Sequence, residues 1–515
     1  MATLIGNHDR RAHLVTFPQV GQYPALRDFQ SLRVTVAGGG LAGAAAALVL
    51  AERGASVTLH ESEPVLGGRL SSWPDQLNAA AGASTMEMER GFHAFFRQYY
   101  NLRMFLRRID PQLRMLRPCD DYPLFGPNGA SESFSGLPRR PPFNLLALIK
   151  RTPTIGLRDL KQIDGDSAAE MLAFETDDCY ARFDSMSAAE YLDRVRFPPQ
   201  ARLMLFEVFA HSFFNPQESM SAAEMLMMFH LYFCGSSEGI LFDVLDEPFN
   251  DCVWRPMKRL LEAHGVTIHT NSPVSTMDEP DDDEAIVLAL PVEALQSVVT
   301  SNPWLTAVPG GEVWGTSVAS LRQAPPFAVL RLWLDRPVRP DRSPFAGTAG
   351  MGIIDNISVM GRYQGQARSW EVSNGGTVIE LHGYALAARH AIDHEATRAE
   401  LIRWMHHVYP ETATAQILDE RFLLRRDCPS FEPNSYVHRP TVQTPHPRVV
   451  LAGDLVKLPF PTALMERAVT SGFMAANEIL RAHSVASEPV WSIPTRGVLA
   501  GLQQWKRRIT KGGET

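Results

Sequence analysis

The sequence predicts a two-domain α/β protein with one parallel sheet, assembled from separated parts of the chain, and a second α+β domain. A strand, a glycine-rich turn, a helix and another strand follow one another between Ser31 and Glu61. A further buried strand followed by a helix lies near the C-terminus, between Arg448 and Leu480. The chain has 515 residues, 45% of them hydrophobic. This length exceeds what one ordinary core holds, so two domains are expected.

The opening unit is typical of a dinucleotide-binding βαβ motif. Its elements are predicted at Leu32 to Ala37 (strand), Leu41 to Arg53 (helix) and Ser56 to His60 (strand). Gly38, Gly40 and Gly43 have the G-x-G-x-x-G spacing that permits a tight turn, backbone approach to a pyrophosphate and close helix packing. Glu61 follows the second strand, where a carboxylate accepts a hydrogen bond from a ribose hydroxyl.

Gly67-Gly68-Arg69 follows this unit and has two interpretations. The two glycines permit a turn beside a phosphate and Arg69 then binds that phosphate, or the segment is a plain loop with a solvated arginine. Its closeness to the fingerprint favours cofactor binding.

The segment Glu87 to Arg108 is rich in aromatic residues and is predicted to form a helix that opens at Gly91-Phe92-His93. Most of its rings are expected in the core. His93 and Arg97 need polar partners among those rings. His93 either faces a cofactor or substrate or is satisfied within the core.

Two segments combine apolar residues with flanking cations. Phe143 to Ile149 is flanked by Arg139, Arg140, Lys150, Arg151, Arg158 and Lys161. Leu499 to Lys511 has the same character, with Leu502 and Trp505 beside Lys506, Arg507 and Arg508. Each is either a helix that lies on a membrane surface or a buried helix with a basic rim.

Three segments begin with Ser-Ala-Ala-Glu, at Ser167, Ser187 and Ser221, and each is predicted to be a capping box at a helix start. The helical stretch Leu203 to Phe233 contains Met204, Met220, Met225, Met227 and Met228. Such a stretch is usually core, but its size also suits the lining of a long apolar tunnel.

The second domain is indicated by Phe327 to Leu334 and Thr377 to Leu381, whose alternating pattern predicts antiparallel strands. Ala285 to Leu290 is expected in the parallel sheet. Near the C-terminus, the strand Val449 to Ala452 ends at Gly453-Asp454, and a helix begins near Pro461 to Ala463. Asp454 is placed to bind a ribityl hydroxyl, and the helix start to stabilise negative charge on a reduced flavin.

The composition excludes several functional classes. A formal charge of −8 disfavours nucleic acid as the main partner. No apolar run is long enough to span a membrane, and residues 1–30 form a polar leader that lacks a secretory signal's apolar region and either stays loose or lies over the surface. The five scattered cysteines fit free thiols in the cytoplasm, and no metal site is expected.

These motifs resemble those of the phytoene desaturase and amine oxidase superfamily of FAD enzymes. Between Ser31 and Trp491 the chain is most similar to bacterial aromatic-carotenoid ring synthases of the isorenieratene type. The resemblance rests on GGGLAG at 38–43, Glu61, GGR at 67–69, AGD at 452–454, ERGFHAFFRQYYNLR at 89–103, FEVFAHSFFNP at 206–216, SAAEMLMMFHLYF at 221–233, DNISV at 355–359 and LPFPTALMERAV at 458–469. Phe460 departs from the family pattern, and it either widens this last segment by one position or alters its turn.

The resemblance implies a carotene desaturase/methyltransferase that uses FAD to remove hydride from a β-ionone ring, with methyl migration and proton loss giving an aromatic ring. Its implied cofactor-binding residues are Gly38, Gly40, Leu41, Ala42, Gly43, Glu61, Gly67, Gly68, Arg69, Gly91, Phe92, Val274, Gly453, Asp454, Ala463, Leu464 and Met465. His93 and Glu466 lead as candidate bases, followed by His230, and Glu224 ranks last because of its capping role. Asp355 and Asn356 are expected to cap a turn rather than line the site.

The predicted domains are a leader (1–30), an FAD-binding domain (31–118, 250–300 and 440–485), a substrate domain (119–249 and 301–439) and a tail (486–515). The implied substrate is a long apolar carotenoid, and an electron acceptor must reoxidise the flavin. The predicted location is the cytoplasm, at the inner face of its membrane if the two basic apolar segments bind lipid. The alternatives are an FAD-dependent amine oxidase or other small-molecule oxidase, and a non-enzymatic flavin-binding scaffold.

Overall fold

A computed structural model of the chain describes residues 12–15, 23–27, 31–119, 121–152, 154, 156, 161–501 and 503. Its strands in chain order are β1 (His13–Val15), β2 (Arg33–Ala37), β3 (Ser56–His60), β4 (Ser72–Gln76), β5 (Thr85–Glu89), β6 (Phe95–Phe96), β7 (Leu116–Cys119), β8 (Leu124–Phe125), β9 (Ser131–Glu132), β10 (Phe242–Leu245), β11 (Thr267–His269), β12 (Glu284–Leu288), β13 (Phe327–Leu334), β14 (Phe345–Thr348), β15 (Asn356–Val359), β16 (Thr377–Gly383), β17 (Ile417–Arg425), β18 (Val449–Leu451) and β19 (Val490–Ser492).

The α-helices are α1 (Leu41–Glu52), α2 (Tyr100–Leu106), α3 (Phe143–Arg151), α4 (Gly165–Leu172), α5 (Thr176–Phe183), α6 (Ala188–Val195), α7 (Pro199–Arg202), α8 (Val208–Ser212), α9 (Ala222–Phe229), α10 (Arg255–Ala263), α11 (Val292–Ser301), α12 (Gly311–Ser320), α13 (Gly365–Asn374), α14 (Ala388–Ile392), α15 (His394–Val408) and α16 (Leu464–Ala482). Segments of π-helix lie at Leu203–Glu207, His230–Cys234 and Asn250–Trp254. Short 3-10 helices lie at Gly68–Leu70, Ala79–Ala81, Pro127–Gly129, Pro303–Leu305, Met360–Arg362 and Pro410–Thr414.

A five-stranded parallel sheet in the order β11-β3-β2-β12-β18 confirms the predicted α/β unit. Helix α1 is buried along nearly its whole length and packs against α16. A Cβ at Gly472 of α16 would lie 2.3 Å from the Ala42 carbonyl oxygen, so glycine is required for this close approach. The N-terminal and C-terminal parts of the chain therefore join in one layer.

A seven-stranded sheet in the order β17-β13-β16-β15-β14-β8-β9 forms the second structural unit. Its pairings are antiparallel except that of β14 with β8. The alternation along β13 does not mark a solvent-facing side, because every residue of that strand is buried. The polar position Arg331 is instead neutralised inside the protein. The predicted domain boundaries stay a prediction.

Two local predictions were wrong. The aromatic segment forms the short strand β6 before its helix, which begins only at Tyr100. Of the three serines, only Ser187 forms a capping box. Ser167 lies inside α4, and Asp164 caps the start of that helix. The Ser221 hydroxyl donates to Asp184, and Glu224 binds other partners. A tertiary partner thus displaces the local cap.

The leader and the tail are described only in part. His13–Val15 pairs antiparallel with β19, so this piece of the leader lies over the surface. Most of the second basic apolar segment, including Leu502, Trp505, Lys506, Arg507, Arg508 and Lys511, lies outside the described residues, as does Arg158. No helix in the described ranges is long and apolar enough to cross a bilayer. All five cysteines are free thiols.

Candidate functional site

The glycine turn before α1 has the geometry of a phosphate cradle. A Cβ at Gly38 would lie 2.3 Å from the Ala289 carbonyl oxygen, and one at Gly43 would lie 1.9 Å from the Gly38 carbonyl oxygen. Both positions therefore exclude side chains for packing reasons. Gly40 differs, because a Cβ there would meet no described atom closer than 3.9 Å. Its backbone borders open space.

A second glycine turn lies directly against the first. Gly67 adopts a φ of 125°, its N–H donates to the Gly39 carbonyl oxygen at 3.0 Å, and Gly40 and Gly67 form a bridge. Helix α1 begins at Gly40 without a side-chain cap. Its first N–H groups and positive dipole end thus point into the cradle. Two glycine turns without side chains, beside a helix start with no side-chain cap, fit the pyrophosphate of FAD.

Glu61 lies at the end of β3 and ties the turn together. Its Oε2 accepts from Gly39 N at 2.7 Å, and its Oε1 accepts from Glu63 N at 2.9 Å. Oε1 also accepts from the Ser62 hydroxyl at 3.1 Å, so Oε2 is the carboxylate oxygen that retains acceptor capacity for a ribose hydroxyl. Val274 lies half-buried after β11, the neighbour of β3 in the sheet.

Residues 385 positions apart meet at the other end of this groove. Arg69 donates to both carboxylate oxygens of Asp454, at 2.8 and 2.6 Å. Gly453, with a φ of 133°, turns the chain at the end of β18. Helix α16 begins after Ala463, again without a side-chain cap. The predicted ribityl-binding carboxylate and the predicted helix start are thus brought to one place.

A small cavity of about 10 Å³ lies between these residues and the apolar middle of the chain. Its lining consists of Arg69, Phe213, Phe214, Met228, Cys428, Pro429, Phe431, Asp454, Ala463, Leu464 and Arg467. The predicted cofactor residues form one wall, and phenylalanine and methionine side chains form the other. Of the five predicted tunnel methionines, Met228 lines this cavity, whereas Met204, Met220, Met225 and Met227 are buried in the core.

His93 is the predicted base whose pKa is affected by Arg69, a residue of this wall. Its Nδ1 donates to the Gly91 carbonyl oxygen at 2.8 Å, and its ring contacts Phe249 edge-on. Burial lowers the pKa of His93 to about 4, with positive charge on Arg69 acting in the same direction. The imidazole is therefore neutral at neutral pH, and Nε2 is an acceptor.

The other predicted bases have structural roles. Glu466 accepts from the backbone N–H groups of Asn101 and Leu102, both at 2.9 Å, and so caps α2. Burial raises its pKa to about 8. His230 donates from Nε2 to the Pro494 carbonyl oxygen at 2.7 Å and stacks on Phe174. In the described part of the chain, neither residue lines the cavity.

Glu224 is the centre of a buried ionic cluster. It accepts from Arg467 at 2.6 Å, from Arg439 at 3.1 Å and from the Tyr180 hydroxyl at 2.5 Å. Burial alone would raise its pKa, but the two guanidinium groups outweigh burial and hold the pKa at about 2. The cluster keeps Arg467 beside the cavity, where Arg467 also donates to the Asp454 carbonyl oxygen at 3.3 Å.

Gly91 and Phe92 lie between the two units rather than in the glycine cradle. The Phe92 ring stacks on Phe345 at 4.4 Å within a separate hydrophobic cluster. A Cβ at Gly91 would lie 3.1 Å from His382 Nε2. Leu41 and Ala42 are buried in the first turn of α1, and Met465 is half-buried in α16.

Sequence reasoning missed a polar network on β16 that adjoins Gly91. Glu380 forms an ion pair with Arg331 at 2.7 Å, and Arg331 also pairs with Glu89 at 3.1 Å. His382 lies between Glu380 and Tyr384, which it contacts at 2.9 and 2.8 Å. The signal was present in the sequence, since polar side chains at alternate positions of a strand share one face.

Three comparisons with known proteins agree with this geometry. Residues 41–480 match the family described as flavin containing amine oxidoreductase. The chain is 46% identical to a carotenoid phi-ring synthase of Streptomyces griseus, over 96% of each chain. It is 26% identical to a carotenoid phi-ring synthase of Chlorobaculum tepidum, over 96% of this chain and 93% of that protein. A solved putrescine oxidase shares the fold, with a TM-score of 0.60 and 16% identity over 87% of this chain and 99% of that one.

Proposed function

Because this chain belongs to the flavin containing amine oxidoreductase family, we propose that it is an FAD-dependent enzyme of carotenoid biosynthesis that converts a β-ionone end ring into an aromatic ring. The cavity carries this proposal, since it joins the Arg69–Asp454 pair to a wall of Phe213, Phe214 and Met228. An apolar hydrocarbon ring needs such a wall. The phi ring in the names of the two relatives is the product we assign to this chain.

The ring contains a quaternary carbon, so it becomes aromatic only if one methyl group migrates. Conversion of a trimethylcyclohexene ring into a trimethylbenzene ring removes four hydrogen atoms, as two hydrides and two protons. FAD, when bound, accepts hydride. A separate electron acceptor reoxidises the flavin. The protein supplies a dry apolar site and acceptors for the protons.

The two glycine turns and Glu61 would hold the pyrophosphate and ribose of FAD, and Asp454 would hold the ribityl chain. The uncapped start of α16 would stabilise negative charge that develops on the pyrimidine ring. The fit of Gly40 supports this assignment, because its open space is bordered by backbone on both sides.

His93 is proposed to accept one of the protons. Its Nδ1–H is used by Gly91, so the lone pair of Nε2 is the basic site. A pKa of about 4 suits removal of a proton from carbon beside a cation, which is far more acidic than an ordinary C–H group. Glu466 and His230 are not proposed as bases, because their hydrogen bonds serve the structure.

An amine oxidase is the weaker alternative. Such an enzyme would favour an acidic or aromatic cradle for a cationic amine. The charged groups of this cavity are Arg69, Arg467 and Asp454, and Asp454 is already paired with Arg69. A protonated amine would therefore meet an excess of positive charge.

Incubation of the purified, flavin-loaded protein with β-carotene or γ-carotene tests the proposal. Pigments with one or two aromatic end rings, identified by mass and absorption, are expected. A flavin-loaded protein that leaves both carotenes unchanged while it oxidises a polar amine would refute the proposal.

We also propose that α3 docks on an anionic membrane surface. Its apolar residues at successive turns are exposed, with Phe143 at 61%, Leu146 at 58% and Ile149 at 38% exposure. The opposite face is anchored, since Asn144 donates to the Phe233 carbonyl oxygen at 2.7 Å. Exposed cations surround the apolar face, namely Arg139, Arg140, Lys150 and Arg151. Such a helix matches a lipid interface, and carotenoids reside in bilayers.

Co-sedimentation with vesicles that contain anionic lipid tests the docking helix. The double variant Phe143→Ser/Leu146→Ser is expected to bind about 10- to 100-fold more weakly, because two large apolar side chains no longer enter the lipid. Val372→Ser, which removes an apolar side chain that is 81% exposed elsewhere on the surface, is the control. Full recovery of the wild type in the supernatant at low salt contradicts docking.

A further inference from the structure

Three polar side chains occupy successive inward positions at the end of β16. Glu380, His382 and Tyr384 are spaced by two residues, and they form a hydrogen-bonded chain. Glu380 and His382 are each 1% exposed, and Tyr384 is half-buried. Buried polar groups in a strand with hydrophobic neighbours carry a desolvation cost, so their retention points to a use beyond stability.

The hydrogen bonds determine which nitrogen of His382 carries the proton. Burial alone would raise the pKa of Glu380, but Arg331 and His382 outweigh burial and hold it at about 2. An ionised carboxylate only accepts, so the His382 Nε2–H must donate to Glu380. Nδ1 is left with a lone pair and accepts from the Tyr384 hydroxyl at 2.8 Å. The Phe92 N–H approaches Nε2 only at 3.3 Å and does not reverse this order.

Tyr384 lies next to the cavity wall. Its ring contacts Phe214 edge-on at 5.0 Å, and Phe214 lines the cavity. The hydroxyl oxygen accepts one hydrogen bond, from Asn356 Nδ2 at 3.0 Å. Its remaining lone pair has no further donor among the described residues. The Tyr384 N–H donates to Asp355 Oδ2 at 2.6 Å, which fixes the ring's position.

We propose that Tyr384 accepts a proton from the substrate ring and passes its own hydroxyl proton to His382, with Glu380 stabilising the imidazolium that forms. The inference rests on the proposed function and adds a second proton acceptor to His93. Tyr384 is the catalytic residue of this relay. His382 orients the Tyr384 hydroxyl and accepts its proton, and Glu380 orients His382. The arrangement follows the logic by which a buried carboxylate orients an imidazole that activates a hydroxyl.

The step balances within the chain. Bound FAD would accept the hydride whose loss leaves the ring cationic. After the methyl group has migrated, a C–H bond beside the cationic carbon breaks. Its electron pair forms the new C=C bond, and the proton goes to the Tyr384 oxygen. The original hydroxyl proton moves to His382 Nδ1. When the product leaves, water entering the cavity takes the proton from the Tyr384 oxygen and the relay reverses.

Formation of aromatic pigment by the flavin-loaded enzyme, with an electron acceptor supplied and the enzyme in excess over the carotene, tests the relay. Tyr384→Phe keeps the ring contact with Phe214 but removes the hydroxyl. His382→Gln keeps an acceptor for Tyr384 and a donor for Glu380 but cannot take up a proton. Both variants should form aromatic pigment about 100-fold more slowly than wild type, within the range of proton-transfer catalysis. Both should also bind FAD normally and accumulate partly oxidised pigments.

The control is Tyr122→Phe, which removes a hydroxyl that donates to the Ile240 carbonyl oxygen at 2.7 Å in the same sheet region. Full activity is expected. A second readout is independent of turnover, because 15N chemical shifts of labelled His382 should show a protonated Nε2 and an unprotonated Nδ1. Wild-type rates in Tyr384→Phe or His382→Gln, or a proton on Nδ1, overturn the relay alone. Failure of the wild type to convert any carotene overturns the proposed function together with the relay.

Discussion

Replacement of Glu224 by glutamine isolates the electrostatics that hold Arg467 at the cavity. The substitution preserves the shape of the side chain but removes the single anion between Arg467 and Arg439. Glu224 is 0% exposed, and the two guanidinium groups are 4% and 5% exposed. Water therefore cannot replace the lost carboxylate. One end of the amide would also present N–H groups to a guanidinium donor.

The fall of the Glu224 pKa from 4.5 to about 2 gives the magnitude. At about 1.4 kcal/mol per pH unit, the ionised carboxylate contributes roughly 3 kcal/mol to the free energy of unfolding. This value agrees with the roughly 3–5 kcal/mol lost when one partner of a buried pair is removed. Because the pKa is lowered on folding, the contribution is present above about pH 4.5 and disappears as the pH falls toward about 2.

Urea-induced unfolding of the wild type and of Glu224→Gln, followed at pH 7 and at steps below pH 4.5, measures this difference. The difference should be largest at pH 7 and should shrink in acid. Glu218→Gln on the exposed surface is the control and should change the free energy of unfolding by less than about 0.5 kcal/mol. A loss below about 1 kcal/mol at pH 7, or a loss that does not diminish in acid, would refute the reasoning.

Two further predictions concern the cofactor cradle and Glu466. Gly40→Ala should fold normally, because its Cβ would meet no described atom closer than 3.9 Å, but it should bind FAD at least about 10-fold more weakly in a fluorescence titration. Gly43→Ala should also lower the melting temperature, because its Cβ would lie 1.9 Å from the Gly38 carbonyl oxygen. A wild-type FAD affinity of Gly40→Ala would contradict this. Glu466→Gln should retain turnover. The free energy of unfolding of Glu466→Gln in urea should rise relative to that of the wild type as the pH increases from about 4.5 to 8. In the wild type, the raised pKa of about 8 makes ionisation of Glu466 unfavourable in the folded state. Loss of turnover in this variant would restore Glu466 as a candidate base.

The parts of the fold predicted correctly are those where neighbouring residues determine the structure. Strand Ser56–His60 has the predicted bounds, and α1 ends one residue before its predicted end at Arg53. Glycines at this spacing are characteristic of the tight turn between a strand and a helix in a βαβ unit. Asp454 lies where it was predicted, just after the carboxyl end of β18, but its ion pair with Arg69 was not predicted from the sequence.

The predictions that failed depend on partners distant in the sequence. Ser221 has the local pattern of a capping box, but Glu224 pairs with Arg467, which lies 243 residues further on. The alternation in β13 correctly predicted an antiparallel strand, but it did not show that Arg331 is buried and neutralised by Glu89 and Glu380 from two other strands. Local propensity identifies a helix start or a strand, but it cannot identify the charge that a third segment brings.

The same limit explains why the β16 network escaped sequence reasoning while the cofactor site did not. Cofactor motifs are read from short stretches, since one turn supplies most contacts to a phosphate. Proton acceptors are assembled across the register of paired strands, and here the pairing of Arg331 with Glu380 sets the charge that fixes the His382 tautomer. A shift of β16 by one residue would turn Glu380, His382 and Tyr384 away from Arg331 and the cavity together. The chemistry of the ring is therefore encoded in strand register rather than in a motif.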